Sequence, residues 1–190
     1  MQNNQKHYLF RLGSNSKTRA LILSEKGLEF IQQGGDFNED QITTKNPTEF
    51  VDIATTGKFE ELYAKYGCED MPLLVADTVV TSDNQLLRKA KNKEDARRML
   101  ELQSDNEVTI ITCMIFKSKD TYIKDISRTT YQFEKFDADD LDNYINSGEC
   151  MGKAGAIMVE GFCKPYIKSV DGYESTAMGL CVEKLLPYLK

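Results

Sequence analysis

The stretch "LLVADTVVTSDN", residues 73–84, places one acid, Asp77, inside a run of apolar and β-branched residues fit for a buried strand. Burying an ionised carboxylate costs on the order of several kcal/mol unless it is paired, hydrogen-bonded or bound to a metal. Asp77 is therefore either a strand-end acid facing solvent or a group whose charge is used, and spacing alone leaves both readings open. In "LGSNSKTR", residues 12–19, a strand-to-helix turn would aim backbone N–H groups and the helix dipole at an anion. Ser14 and Ser16 add hydroxyls there, and Arg19 adds a guanidinium one turn into the helix. The segment matches neither glycine-rich phosphate-loop pattern, and taken alone an ordinary N-cap beside a solvated arginine is the simpler account.

Three lysines share this ambiguity. Lys58 lies four residues after Ala54 and four before Leu62, on or beside the apolar stripe of its helix, where a lysine can lay its stem on the core and keep its ammonium in water. Lys89 closes "NQLLRK" and either reaches the same end of the sheet as Asp77 or stays solvated in a loop. "GKAGA", residues 152–156, sets Lys153 among small residues, where a backbone packs closely, admits a ligand or simply turns.

The elements that must position these groups alternate along the chain. "YLFRL" (8–12) is a strand, and a helix follows with Ser16 as N-cap and Gly27 as its stop. "NPTEFVDIATTGKFEELYAKYG" is a helix with Phe50, Ile53, Ala54, Leu62 and Tyr66 on one broad stripe. Residues 73–81 form a strand, "SDN" turns and "QLLRK" returns. A helix capped by Asn92 leads to two long strands, 107–118 and 120–136, joined around Lys119. A helix from "DADDLDNYINSG" ends at Gly148; "GAIMVEG" and "KPYIKSV" are strands, and "AMGLCVEKLLPYL" is a closing helix. Several connections are too short for a parallel crossover, so the expected fold is α/β with a mixed central sheet.

Composition narrows the function. The 190 residues suffice for one domain spanning 1–190, with a sizeable core. A formal net charge of −6 argues against nucleic acid as a partner, although a few converging lysines can still attract a small anion. No apolar run approaches a membrane span, and "MQNNQKHYLF" has no signal-peptide pattern, so a cytoplasmic protein is expected. The five cysteines form no C-x-x-C pair and read as reduced structural thiols. The single histidine, His7, makes a histidine-based hydrolase a poor fit.

Taken in order, these pieces resemble the Maf family of septum-formation-associated nucleotide pyrophosphatases. "LGSNSKTR" is similar to the family's opening S-x-S-x-x-R turn, "NE" to its short acidic motif at Glu39, and "VADT" to its G-A-D-T, carrying Asp77 and Thr78. Lys58 matches the helix lysine, "RKA" the E-K-P motif at Lys89, and Lys153–Ala156 keeps K-A-G-A. Gly179-Leu180 repeats a late G-L. The resemblance implies a two-lobed fold with a cleft, a possible homodimer, and hydrolysis of a nucleoside triphosphate to the monophosphate and pyrophosphate with Mg²⁺ or Mn²⁺.

On that implication Asp77, Lys58, Lys89 and Glu39 form the catalytic set. Glu39 and Asp77 offer the hard oxygen ligands such a metal prefers, and Asp77 is also the expected acid or base. Arg19, Lys58 and Lys89 neutralise phosphate charge, while Ser14, Thr78 and Lys153 contact substrate. The chain departs from the pattern at Thr18, where many members carry a second arginine, and at Glu160, where some carry Gln. The resemblance associates both positions with base selection or substrate contact. The competing expectation is a non-catalytic nucleotide-binding regulator of cell division, distinguished by binding without turnover.

Overall fold

The computed structural model describes residues 10–189. Seven strands form one open mixed sheet in the order β2-β1-β3-β5-β6-β7, with β4 also paired to β3. The strands are β1 (Phe10–Leu12), β2 (Phe30–Gln32), β3 (Leu73–Ser82), β4 (Gln85–Leu87), β5 (Glu107–Lys117), β6 (Tyr122–Phe133) and β7 (Ile167–Asp171). β1 runs parallel to β2 and β3, and every other pairing is antiparallel. The helices are α1 (Lys17–Glu25), α2 (Pro47–Tyr66), α3 (Lys93–Gln103), α4 (Ala138–Ser147), α5 (Glu174–Ala177) and α6 (Val182–Leu185). No described helix is long and apolar enough to cross a membrane.

Strand periodicity divides the core. Side chains of odd-numbered residues in the middle of β3 and β5, among them Val75, Val79, Ile111, Cys113 and Ile115, pack against Phe50, Val51, Ala54, Phe59 and Leu62 of α2. The even-numbered ones face the other way and build two cores. Leu74, Ala76, Met114 and Phe116 meet α1 and α6, while Val80 and Ile110 meet α3 and α4. Local chemistry starts and stops these helices as expected. Ser16, Asn46, Asn92 and Asp137 each cap a helix with a side-chain oxygen, and Gly148 ends α4 in the left-handed region at φ 80°. The "SDN" turn is a tight one, with Asp83 and Asn84 both at positive φ.

Several expectations fail for identifiable reasons. Residues 155–161 are turns instead of a strand, because Gly155 and Ala156 both take left-handed φ, 61° and 60°, and the following N–H groups bond locally to Lys153 and Ala154. "KPYIKSV" begins as a 3-10 turn around Pro165 and becomes strand only at Ile167. The closing helix is broken at Gly179, whose φ of 109° separates α5 from α6. The returning strand stops at Leu87, short of Lys89. Ile53 is 41% exposed and off the buried stripe of α2. No helical or strand periodicity marks β2 or the 3-10 turn Glu39–Gln41, each being only three residues long. His7 and the first two residues of "YLFRL" lie outside the described residues.

All five cysteines are buried and unbridged. Burial pushes the Cys113 thiol up to about 11 and the Cys163 thiol up to about 12. The thiolate is the reactive form, so a colourimetric thiol reagent at pH 8 should modify neither cysteine in the native protein and all five in guanidinium. Because these pKa values are raised on folding, the stability the neutral thiols confer is full below the ordinary value near 8.5 and falls as pH rises through the folded values. Rapid native labelling of Cys113 or Cys163 would contradict this packing.

Candidate active site

β3 holds β5 along its whole length, but its other edge is paired unevenly. β1 reaches it only at Leu73 and Leu74, and β4 only from Val80 to Ser82. Residues 75–79 therefore have no strand on that side, and a cleft of about 680 Å³ passes through the gap, within the range typical of small-molecule sites. Consecutive strand residues point to opposite faces, yet Asp77 and Thr78 both line this cleft. One brings to it the face covered by α2, the other the face covered by α1.

On the α2 face, Lys58 Nζ lies 2.5 Å from Glu39 Oε1 and 3.1 Å from Asp77 Oδ1. One ammonium thus holds two carboxylates that would otherwise repel. Glu39 is delivered by its 3-10 turn, which Asn38 caps by accepting the Asp40 N–H at 3.0 Å. Arg88 adds a second cation, 3.5 Å from Glu39 Oε2, with its guanidinium over the Phe50 ring. Asp77 is only 8% exposed, and its Oδ2 is buried with no hydrogen-bond partner. Burial pushes the Glu39 carboxyl up, but the Lys58 hydrogen bond, the Lys58 charge and the charges of Lys89 and Arg88 outweigh it and hold the group below its ordinary value.

On the α1 face, Arg19 is fastened at three nitrogens. Nε donates to the Gly179 carbonyl at 2.7 Å, Nη1 to Ser14 Oγ at 2.9 Å and Nη2 to Thr78 Oγ1 at 3.1 Å. Burial pushes its pKa down against the opposing charges of Asp77 and Glu39, and it remains a cation at physiological pH. The turn before α1 is held from outside by Gln32, whose amide donates to the Ser14 and Ser16 carbonyls at 2.8 and 3.1 Å. Gly13 permits the turn to pass this close, since a Cβ there would lie 2.5 Å from Leu62 Cδ1 and 2.9 Å from Val75 Cγ2.

The remaining wall comes from the turns after α4. Lys89 bridges to Ala154, and Gly155 N–H donates to the Arg88 carbonyl at 3.0 Å. Buried Gln103 donates to the Gly155 carbonyl at 2.7 Å, and Tyr144 to the Ala156 carbonyl at 3.0 Å. Lys89 and Lys153 are thereby carried to one cleft with Met151 and Glu160. Val80, Ile110, Ile157 and Val159 give the cleft an apolar wall continuous with the α3–α4 core.

All ten residues singled out from the sequence line this cleft: Ser14, Thr18, Arg19, Glu39, Lys58, Asp77, Thr78, Lys89, Lys153 and Glu160. Arg88, Gln32 and Thr112 support it without having been anticipated. Arg88 adjoins the Lys89 motif, but nothing in the local pattern marks Gln32 or Thr112. Among the described residues no three His, Cys, Asp or Glu side chains cluster as a metal site. Asp77 and Glu39, drawn together on Lys58, are carboxylates that could face a cation, and the unpartnered Asp77 Oδ2 fits that use. Mg²⁺ is commonly held by one or two carboxylates with substrate phosphates and water supplying the rest.

An open mixed sheet with a cation-lined cleft at a break in its strand pairing defines an α/β protein built to hold a small anionic ligand. The family model "Maf-like protein" matches residues 10–190, and the chain belongs to the Maf family. A relative from Nitratiruptor sp. named nucleoside triphosphate pyrophosphatase is 52% identical over 184 residues, covering 96% of this chain and 99% of its own. A Helicobacter pylori protein of the same name is 40% identical, with 94% of each chain covered. A dTTP/UTP pyrophosphatase from Acholeplasma laidlawii is 34% identical, again over 94% of each.

The lowered Glu39 pKa gives a pH dependence. Its contribution to stability is present above the ordinary carboxylate value near 4.3 and is lost as pH falls through the lower folded value. In thermal melts between pH 3 and 7, the parent should exceed Glu39→Gln by a margin that is largest above about pH 5 and shrinks toward pH 3. A margin independent of pH would mean that the Lys58–Glu39 pair does not hold the charge.

Proposed function

We propose that this protein hydrolyses nucleoside triphosphates to the nucleoside monophosphate and pyrophosphate, using a divalent cation held by Asp77 and Glu39. The observation that carries this reading is a buried carboxylate with an unpartnered oxygen in a cleft also lined by Arg19, Lys58, Lys89 and Lys153. A triphosphate has the complementary charge, and the apolar wall suits a base or sugar. The names of the Nitratiruptor and Helicobacter relatives support the same reaction.

Bound at the two acids, Mg²⁺ or Mn²⁺ would supply Lewis-acid neutralisation of phosphate charge. The chain's own groups do the rest. Arg19 has five N–H groups and directs three at the protein, so two remain for a phosphate oxygen. Lys58, Lys89 and Lys153 oppose the charge that builds up on the leaving pyrophosphate. Asp77 serves through Oδ2, its one oxygen not engaged by Lys58. That oxygen is either a ligand to the cation or the base that takes the proton of the attacking water, while the water oxygen bonds to the α-phosphorus and the bond to the bridging oxygen breaks, releasing pyrophosphate. Thr18 and Glu160 sit on the cleft wall and select among bases. On this reading the protein works in the cytoplasm, as a homodimer, on free nucleotides.

A screen of common and modified nucleoside triphosphates with separate assays for pyrophosphate and orthophosphate tests this. Pyrophosphate in step with monophosphate is expected, abolished by exhaustive chelation and restored by Mg²⁺ or Mn²⁺. Thr18→Arg and Glu160→Gln should reorder the substrates by kcat/KM while hydrolysis persists. Binding without turnover would favour a regulatory role, and orthophosphate as first product would make the protein a phosphatase.

A further inference from the structure

Thr112 lies in the middle of β5, 1% exposed, directly across from Thr78 in the antiparallel register. It does not line the cleft, yet its hydroxyl joins the network that ends at Arg19. Thr112 Oγ1 donates to the Thr176 carbonyl at 2.7 Å and lies 2.8 Å from Thr78 Oγ1. A hydroxyl has one proton and two lone pairs. With the Thr112 proton committed to Thr176, the bond between the two threonines has only the Thr78 proton to use. Thr78 therefore donates inward to Thr112 and turns a lone pair toward Arg19 Nη2, 3.1 Å away.

The direction matters because Arg19 is donor only. Were Thr78 free to rotate, its O–H could swing toward the guanidinium and oppose it. The Thr176 carbonyl also belongs to the segment carrying Gly179, whose own carbonyl accepts Arg19 Nε at 2.7 Å. One buried hydroxyl thus ties the acceptor at Nη2 to the segment that supplies the acceptor at Nε. With Ser14 on Nη1, the plane of the guanidinium is fixed, and so is the direction of its two remaining N–H groups.

We propose that Thr112 is a positioning residue for phosphate recognition: it orients the Thr78 hydroxyl as an acceptor and so holds Arg19 with its unspent N–H pair directed into the cleft. This rests on Arg19 gripping a triphosphate, as argued above. The effect passes through a single orienting hydrogen bond, so its loss should weaken transition-state binding about tenfold.

The test is a double-mutant cycle on pyrophosphate release. Thr112→Val keeps the shape of the side chain and removes the hydroxyl, and the Thr176 carbonyl keeps the Gly179 N–H at 3.0 Å, so no acceptor is orphaned there. It should lower kcat/KM about tenfold with little change in melting temperature, and Thr112→Ser should restore most of the loss. In an Arg19→Lys background, which lacks the planar fork, the same Thr112→Val change should cost almost nothing. Thr78→Val cuts the relay at its half-exposed link and should reproduce the tenfold loss even if Thr112→Val folds poorly. Affinity for inorganic pyrophosphate, measured calorimetrically, should fall in parallel, which reads the relay without turnover. An equal penalty for Thr112→Val in both backgrounds, or no rescue by serine, would overturn the proposal. Absence of pyrophosphate release by the parent would instead refute the hydrolase reading.

Discussion

One ammonium held between two carboxylates is the interaction on which the site depends. Lys58 reaches across from α2 to Glu39 and Asp77; without it the buried Asp77 would lose its ion pair, and the half-buried Glu39 would keep only the longer contact with Arg88. Removing one partner of a buried ion pair commonly costs about 3–5 kcal/mol, because the survivor is left charged in a poor solvent. The arrangement is still incomplete within the protein, since Asp77 Oδ2 is buried and unpartnered. A buried acceptor without a protein partner is costly unless something else meets it, and the open cleft beside it is where a partner would enter.

The sheet is built around this opening. β1 leaves β3 after Leu74 because the chain must turn into α1, and β4 joins only from Val80. The intervening stretch of β3 therefore shows both of its faces to one cavity, giving access to Lys58 on one side and Arg19 on the other. Close approach at Gly13 and the left-handed pair Gly155–Ala156 let two loops border the gap without filling it. The Arg19 network then ties α1, β3, β5 and the segment around Gly179 into one rigid wall.

How far the sequence reveals this follows from the range of the forces involved. Caps, tight turns and amphipathic helices are local, and Ser16, Asn92, "SDN" and Gly148 were legible because each answers to a few neighbouring atoms. The acid inside "LLVADTVV" was legible as a question, since hydrophobic neighbours and a carboxylate conflict within a few residues. The positive φ of Ala156 was not, because alanine carries no local signal for it and long-range bonds to Arg88, Gln103 and Tyr144 hold that loop. Gly179 stands in a recognisable motif, yet its role as the carbonyl acceptor for Arg19 Nε appears only once Arg19, 160 positions away in sequence, is beside it. Thr112 looked like any strand threonine. Its partners lie 34 and 64 positions off.

On the proposed reading, the Asp77 charge serves the cleft and not the fold. Asp77→Asn keeps the size of the side chain and leaves Lys58 its bond to Glu39, so no ammonium is stranded by the change. Melting temperature and steady-state pyrophosphate release should be measured on the variant beside the parent, each with and without Mn²⁺. The expected result is a protein that melts at or above the parental temperature, loses about 100-fold or more in kcat, and lacks the stabilisation by Mn²⁺ expected of the parent. A variant that melts far earlier yet turns over near the parental rate would show that Asp77 is structural and that the chemistry lies elsewhere.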